Sequence, residues 1–169
     1  MAKRTMTRIG LISDTHSYLD PAVFHHFQAC DEIWHAGDIG NEQILHQLSD
    51  FKPTRAVYGN IDSNELRWHL PEDAFFELEG FRVLITHIAG KPTHYTTRVK
   101  KLIKQHQPHL LICGHSHILR VIKDPIYPDL LYINPGAAGR VGFHSIRTLI
   151  RFELNQKKIH NLEVINLVN

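Results

Sequence analysis

Two cysteines in 169 residues, Cys30 and Cys113, are too few for a disulfide framework, and they show no paired spacing. Both sit in apolar stretches, which fits buried free thiols in a reducing compartment, so a cytoplasmic location is the expectation. No apolar run is long enough to cross a bilayer, and behind the basic start MAKRTMTR the run IGLI is too short for a signal peptide. A dominant charge is missing too: 19 Lys and Arg against 17 Asp and Glu leave +2, too little to advertise nucleic acid or an anionic membrane. Linkers, repeats and low-complexity segments are absent, and 43% hydrophobic with 21% charged residues is ordinary globular usage. One domain over residues 1–169 follows, large enough to bury a core unaided. Gly136, Gly139 and Gly142 match neither a P-loop nor a dinucleotide fingerprint and are read as turn formers. What the chain has in quantity is histidine, 14 of them.

The first two thirds alternate short apolar runs with helical patterns. RIGLIS (8–13), EIWHAG (32–37) and RAVYG (55–59) read as strands, separated by helices over 21–30 and 41–51, the latter with Ile44, Leu45 and Leu48 on one face. This βαβαβ rhythm implies parallel pairing. Residues 75–87 contain two strand-like runs around Glu79 and Gly80 with no room for a helix, hence a hairpin. A helix over 96–107 stops at Pro108 before the strand HLLICG (109–114), and the last third reads as strands joined by Pro, Gly and Asn turns. The expected class is α/β, with two mixed sheets packed face to face and helices outside.

Parallel α/β sheets hold ligands beyond the carboxyl ends of their strands. Five such ends here carry Asp, Asn or His: Asp14 and His16 in SDTHS, Asp38 in AGDIG, Asn60 and Asp62 in YGNIDS, His87 in ITHIAG, His115 and His117 in CGHSHI. On extended chain, residues two apart leave the same face, so Asp14 with His16 and His115 with His117 can each converge on one point. Two carboxylates, one amide oxygen and four imidazoles exceed the needs of one ion, and shared between two ions they leave positions for water and substrate. Nitrogen and oxygen donors without thiolate favour Mn, Fe, Zn, Co or Ni over Ca or Mg. Asp62 is expected to form a turn or to hydrogen-bond a ligating imidazole. His94, in a loop just after His87, is a candidate substrate contact, with Lys91, Arg140 and Ser17 behind it. His25, His26, His35, His46, His69, His106, His109, His144 and His160 have no partner at ligand spacing and are read as surface or satisfied core positions.

The ordered set D-x-H, G-D, G-N, a strand-end His and G-H-x-H, with NPGAAGR at 134–140, resembles the calcineurin-like metallophosphoesterase superfamily over nearly the whole chain, and in particular its small single-domain phosphodiesterases. The resemblance implies a four-layer α/β/β/α sandwich. It implies Asp14, His16 and His117 on one metal, Asn60, His87 and His115 on the other, and Asp38 between them. It further implies phosphodiester hydrolysis by a metal-bridging hydroxide, often with manganese, on a small phosphodiester; assembly as a homo-oligomer is left open by the sequence.

Where the wider superfamily often reads G-N-H-D, this chain has Ile61, which removes a general acid worth about 10² to 10⁴ in rate. The small phosphodiesterases that this chain resembles also commonly lack that histidine, and the resemblance favours a phosphodiesterase over a phosphomonoesterase. A nuclease would need a basic stripe that is missing here. The same fold also resembles the small subunit of the retromer sorting complex, so a scaffold protein is the rival expectation.

Overall fold

The computed structural model describes residues 6–168; the basic start over residues 1–5 lies outside them. Strands β1 (Thr7–Ile12), β2 (Glu32–His35) and β3 (Thr54–Ala56) are parallel neighbours, as the βαβαβ rhythm requires. Their crossovers carry α1 (Ala22–His26) and α2 (Glu42–Phe51). Helix α2 starts where the Asn41 side chain accepts from the Ile44 amide, and it buries Ile44 and Leu48, about 2 kcal/mol of apolar transfer each. Helix α1 is much shorter than the expected 21–30. Pro21 precedes it rather than opening its first turn, and the chain passes into tight turns after His26.

A helix absent from the sequence reading, α3 (Asn64–His69), follows, capped by the Ser63 hydroxyl accepting from the Leu66 amide. The hairpin of β4 (Asp73–Leu78) and β5 (Phe81–Thr86) forms as expected, with Glu79 and Gly80 at positive φ in its turn. Residues 90–95 form a small hairpin, β6 (Gly90–Lys91) and β7 (His94–Tyr95), so His94 stands on a strand and not in a plain loop. Then come α4 (Thr97–His106), β8 (Leu110–Ile112), β9 (Arg120–Lys123), β10 (Leu131–Asn134), β11 (Arg147–Asn155) and β12 (Lys158–Leu167).

Two mixed five-stranded sheets result, ordered β12-β11-β1-β2-β3 and β4-β5-β8-β10-β9. Three apolar clusters make the layering explicit. One lies between the sheets and includes Ile9, Trp34, Ile85, Ile112, Ile133 and Phe152; a second joins α1 and α2 to the first sheet through Phe27, Ile33 and Leu48. The third joins α4 to the second sheet through Val99, Ile103 and Leu111. Helix, sheet, sheet and helix therefore stack in that order. The parallel strands β1, β2, β3, β5 and β8 end on one edge, which gathers the polar residues that follow them. Among the described residues no helix is long and apolar enough to cross a membrane.

Candidate metal centre

The strand-end residues converge, but not on extended chain. Asp14, His16, Asp38, His115 and His117 all lie beyond their strands with φ between +45° and +68°. This corrects the expectation of period-two pairing. Once sheet hydrogen bonding stops, each loop must turn at once to bring its donors inward. Left-handed backbone achieves this at about 1 kcal/mol or more per non-glycine residue, a pattern concentrated at functional sites.

Asp14, His16 and His117 form one group, and Asp38, His87 and His115 a second, with the donor atoms of each group within 4.8 Å of one another. Each carboxylate is held by one oxygen and presents the other. Asp14 Oδ2 accepts from the Ser13 hydroxyl (2.6 Å) and the His115 amide (3.1 Å), while Oδ1 is buried without a hydrogen bond. Asp38 Oδ1 accepts from the Ile61 amide (3.1 Å), leaving Oδ2 at 3.6 Å from His16 Nε2 and 3.2 Å from His87 Nε2. Asn60 Oδ1 lies 3.1 Å from His87 Nε2 and 3.0 Å from His115 Nδ1. His87 Nδ1 donates to the Ala36 carbonyl (2.7 Å), so in the neutral ring Nε2 is a lone pair facing oxygens. Lone pairs facing one another, with His16 Nε2 also buried and unbonded, are what groups able to hold a cation present.

The charges point the same way. Burial opposes ionisation of Asp14, but His117 and His16 outweigh it and hold its carboxyl well below the usual range. Burial likewise opposes ionisation of Asp38, and His87 overcomes it, so that pKa is also lowered. His16 is raised by Asp14, and His87 is raised by Asp38 and Asp14 against its own burial, whereas His115 is lowered by burial and by the charge of His87. Without cations, protons are drawn to His16 and His87, and divalent ions entering here would displace them.

Backbone approach is as tight as the donor geometry demands. A Cβ on Gly59 would lie 2.0 Å from Asp38 Oδ1 and 2.3 Å from the Asp38 nitrogen, so only glycine lets the Asn60 turn close over that carboxylate. Asp62 takes the turn role, its amide donating to the Gly59 carbonyl (3.3 Å), and among the described residues it does not hydrogen-bond an imidazole. Its two oxygens are taken by the amides of Ile39 (3.2 Å), Gly40 (2.8 Å) and Gly59 (2.7 Å), clamping the loops after β2 and β3 together. Arg67 on α3 completes the clamp by donating to the carbonyls of Asp62 and Asn60, both at 2.9 Å.

The other candidates divide. His94 and Lys91 line a cavity of about 430 Å³ together with His115. Arg140 stacks over the Tyr18 ring at 3.9 Å, and the Ser17 amide donates to the Ile39 carbonyl (2.9 Å). Cys30 and Cys113 are buried thiols, pushed up to about 11 and about 12 by burial.

His35 is a satisfied core histidine with a definite task. The Gly37 amide donates to Nδ1 (3.1 Å), so the ring proton lies on Nε2 and goes to Thr15 Oγ1 (3.0 Å), whose hydroxyl donates to the Ile39 carbonyl (2.9 Å). Burial pushes its pKa down to about 4 from 6.5. The folded protein refuses a proton that the unfolded chain accepts. Stability from this group is therefore complete above pH 6.5 and is lost as pH falls toward 4, about 2 kcal/mol of it by pH 5. Urea unfolding at pH 7.5 and pH 5 checks this: His35→Gln should lose less than wild type between the two by that amount, and equal losses would contradict it.

Sequence spacing also missed His144, which contacts His117 across 27 residues; Gly142 in the same loop, read as a turn former, lies where the two rings approach.

The calcineurin-like phosphoesterase superfamily domain matches residues 7–157. A probable metallophosphoesterase of Methanothermobacter thermautotrophicus is 34% identical over 136 residues, 76% of each chain. Among solved structures, one described as a novel archaeal phosphodiesterase superposes with a TM-score of 0.74 at 22% identity, over 95% of this chain and 99% of the other. Vacuolar protein sorting 29 of Cryptosporidium parvum gives 0.73 at 17% identity, over 98% and 100%. These two share the fold. With its family match and its archaeal relative, the chain belongs to the calcineurin-like phosphoesterase superfamily.

Proposed function

We propose that this chain is a two-metal-ion phosphodiesterase, with Asp14, His16 and His117 holding one divalent ion, Asn60, His87 and His115 the other, and Asp38 shared. The observation that carries the reading is Asp38 Oδ2, which stands within 3.6 Å of an imidazole from each group while its partner oxygen is pinned. Manganese is the favoured metal, within the set that mixed nitrogen and oxygen donors accept. When bound, such ions supply charge that polarises a phosphoryl group and acidifies a water. The chain's own part is placement. With Asn60 Oδ1 turned to His87 and His115, its amide nitrogen is the donor left for a phosphoryl oxygen.

The surroundings favour a diester. Two clefts flank the centre and meet at Ile88 and Thr96. The first, of about 430 Å³, reaches His115 and is lined by Ile118, Lys91 and His94; the second, of about 330 Å³, reaches Asn60 and His87 and is lined by Tyr58 and Arg67. Each can take one arm of a small phosphodiester, with His94 and Lys91 beside the first. Ile61 has no proton to give, so esters of acidic alcohols should react best.

The test is hydrolysis after chelation and reloading with Mn²⁺. An activated aryl phosphodiester should exceed its monoester by about tenfold or more in kcat/KM. A preference for the monoester would overturn the diester reading. A second reading, a scaffold without turnover, is favoured by the exposed apolar residues Ile118, Ile126, Val141, Phe143 and Ile146, and it predicts no metal-dependent hydrolysis of either ester.

A further inference from the structure

An imidazole that binds a metal must keep the nitrogen facing it bare, and the hydrogen bond made by its other nitrogen decides this. For His87 the Ala36 carbonyl does so. For His117 the partner is a second histidine, on the loop between β10 and β11. His144 Nε2 lies 2.8 Å from the Gly139 carbonyl, which can only accept, so Nε2 carries the proton of the neutral ring. Its Nδ1 is then a lone pair, 3.1 Å from His117 Nδ1. With both rings neutral, the proton between these nitrogens belongs to His117. His117 Nε2 is left bare, 3.2 Å from the unbonded Asp14 Oδ1.

From this chain of donors we infer that His144 is a positioning residue for the metal centre: by accepting from His117 Nδ1–H it locks the tautomer that turns His117 Nε2 toward a divalent cation. The inference rests on the two-metal reading and adds a residue to it. Loop geometry supports it independently. The Gly139 amide donates to the Asp14 carbonyl (3.0 Å), so the loop is tied to two members of the same group, Asp14 through its backbone and His117 through its ring. Gly142 makes the approach possible. Its φ is +131°, and a Cβ there would stand 2.2 Å from His117 Nδ1 and 3.0 Å from His144 Nδ1. The rings meet edge to face, 5.0 Å between centroids. With both nitrogens engaged, His144 is not the proton donor that position 61 lacks.

Zinc, being diamagnetic, allows a direct test on the whole chain. In zinc-loaded protein labelled with 15N at histidine, a proton on His117 Nδ1 with a nitrogen–nitrogen coupling across the hydrogen bond to His144 Nδ1 is expected. Chelator competition should show zinc bound about 10- to 100-fold more weakly at one of the two sites in His144→Leu. In His144→Gln, whose amide can accept from one side and donate to the other, most of that affinity should return. Wild-type protein with the proton on His144 Nδ1, or folded His144→Leu that binds both ions as tightly as wild type, would overturn the role of His144. Wild-type protein that binds no zinc would instead overturn the metal reading beneath it. If His144→Leu does not fold, the coupling in wild type decides alone.

Discussion

Asp38→Asn should lower kcat/KM for an activated phosphodiester by about 10³ or more, roughly 4 kcal/mol of transition-state stabilisation, with the fold retained. The reason is a conflict that asparagine cannot resolve. If its oxygen keeps the Ile61 amide at Oδ1, its NH2 group points at His16 and His87, where a donor repels a cation; if the oxygen turns inward, NH2 faces the Ile61 N–H. Either way the negative charge shared by the two groups is gone. A second readout needs no metal. Burial pulls the His87 pKa down and Asp38 with Asp14 more than compensates, so removing the Asp38 charge should lower it. An NMR titration of the metal-free variant reads that shift. Activity within threefold of wild type would contradict the bridging role.

Ile61→His should raise hydrolysis of esters with alkyl leaving groups by about 10² while changing activated aryl esters little. Position 61 is suited to the experiment. Its amide is fixed on Asp38, its neighbour Asn60 faces both His87 and His115, and the isoleucine side chain is 47% exposed, so an imidazole there displaces nothing buried. Stability should change by no more than about 0.5 kcal/mol, as for other surface substitutions. The new activity should fall away above about pH 6.5 to 7, because the imidazole must be protonated to donate. No gain on alkyl esters would overturn the account of Ile61 as a missing proton donor.

The convergent residues were legible because each sits at a strand end and strand ends are written locally, as a short apolar run followed by Gly, Asp, Asn or His. What held them in place was not. Helix α3 spans only six residues, too few for a periodic pattern, yet it carries the Arg67 that grips the Asn60 turn. The β6–β7 hairpin has two residues per strand, below any pattern length. Strand order depends on distant pairs, such as Gly10 with Arg151, and on β10 inserting between β8 and β9. His35 and His144 look alike in sequence, single histidines without spacing partners. Only packing separates them: one is sealed in the core and ties two loops, the other reaches His117 from a glycine-bearing loop. Period-two reasoning brought Asp14 and His16 together for the wrong local reason, since left-handed turns and not a pleated strand aim them.

Counting ions while following activity tests the central claim most directly. Metal-free protein titrated with Mn²⁺, with bound metal and diester hydrolysis measured on the same samples, should bind two ions per chain and reach full activity only as the second site fills. Full activity with a single ion bound, or two bound ions without diester hydrolysis, would contradict it.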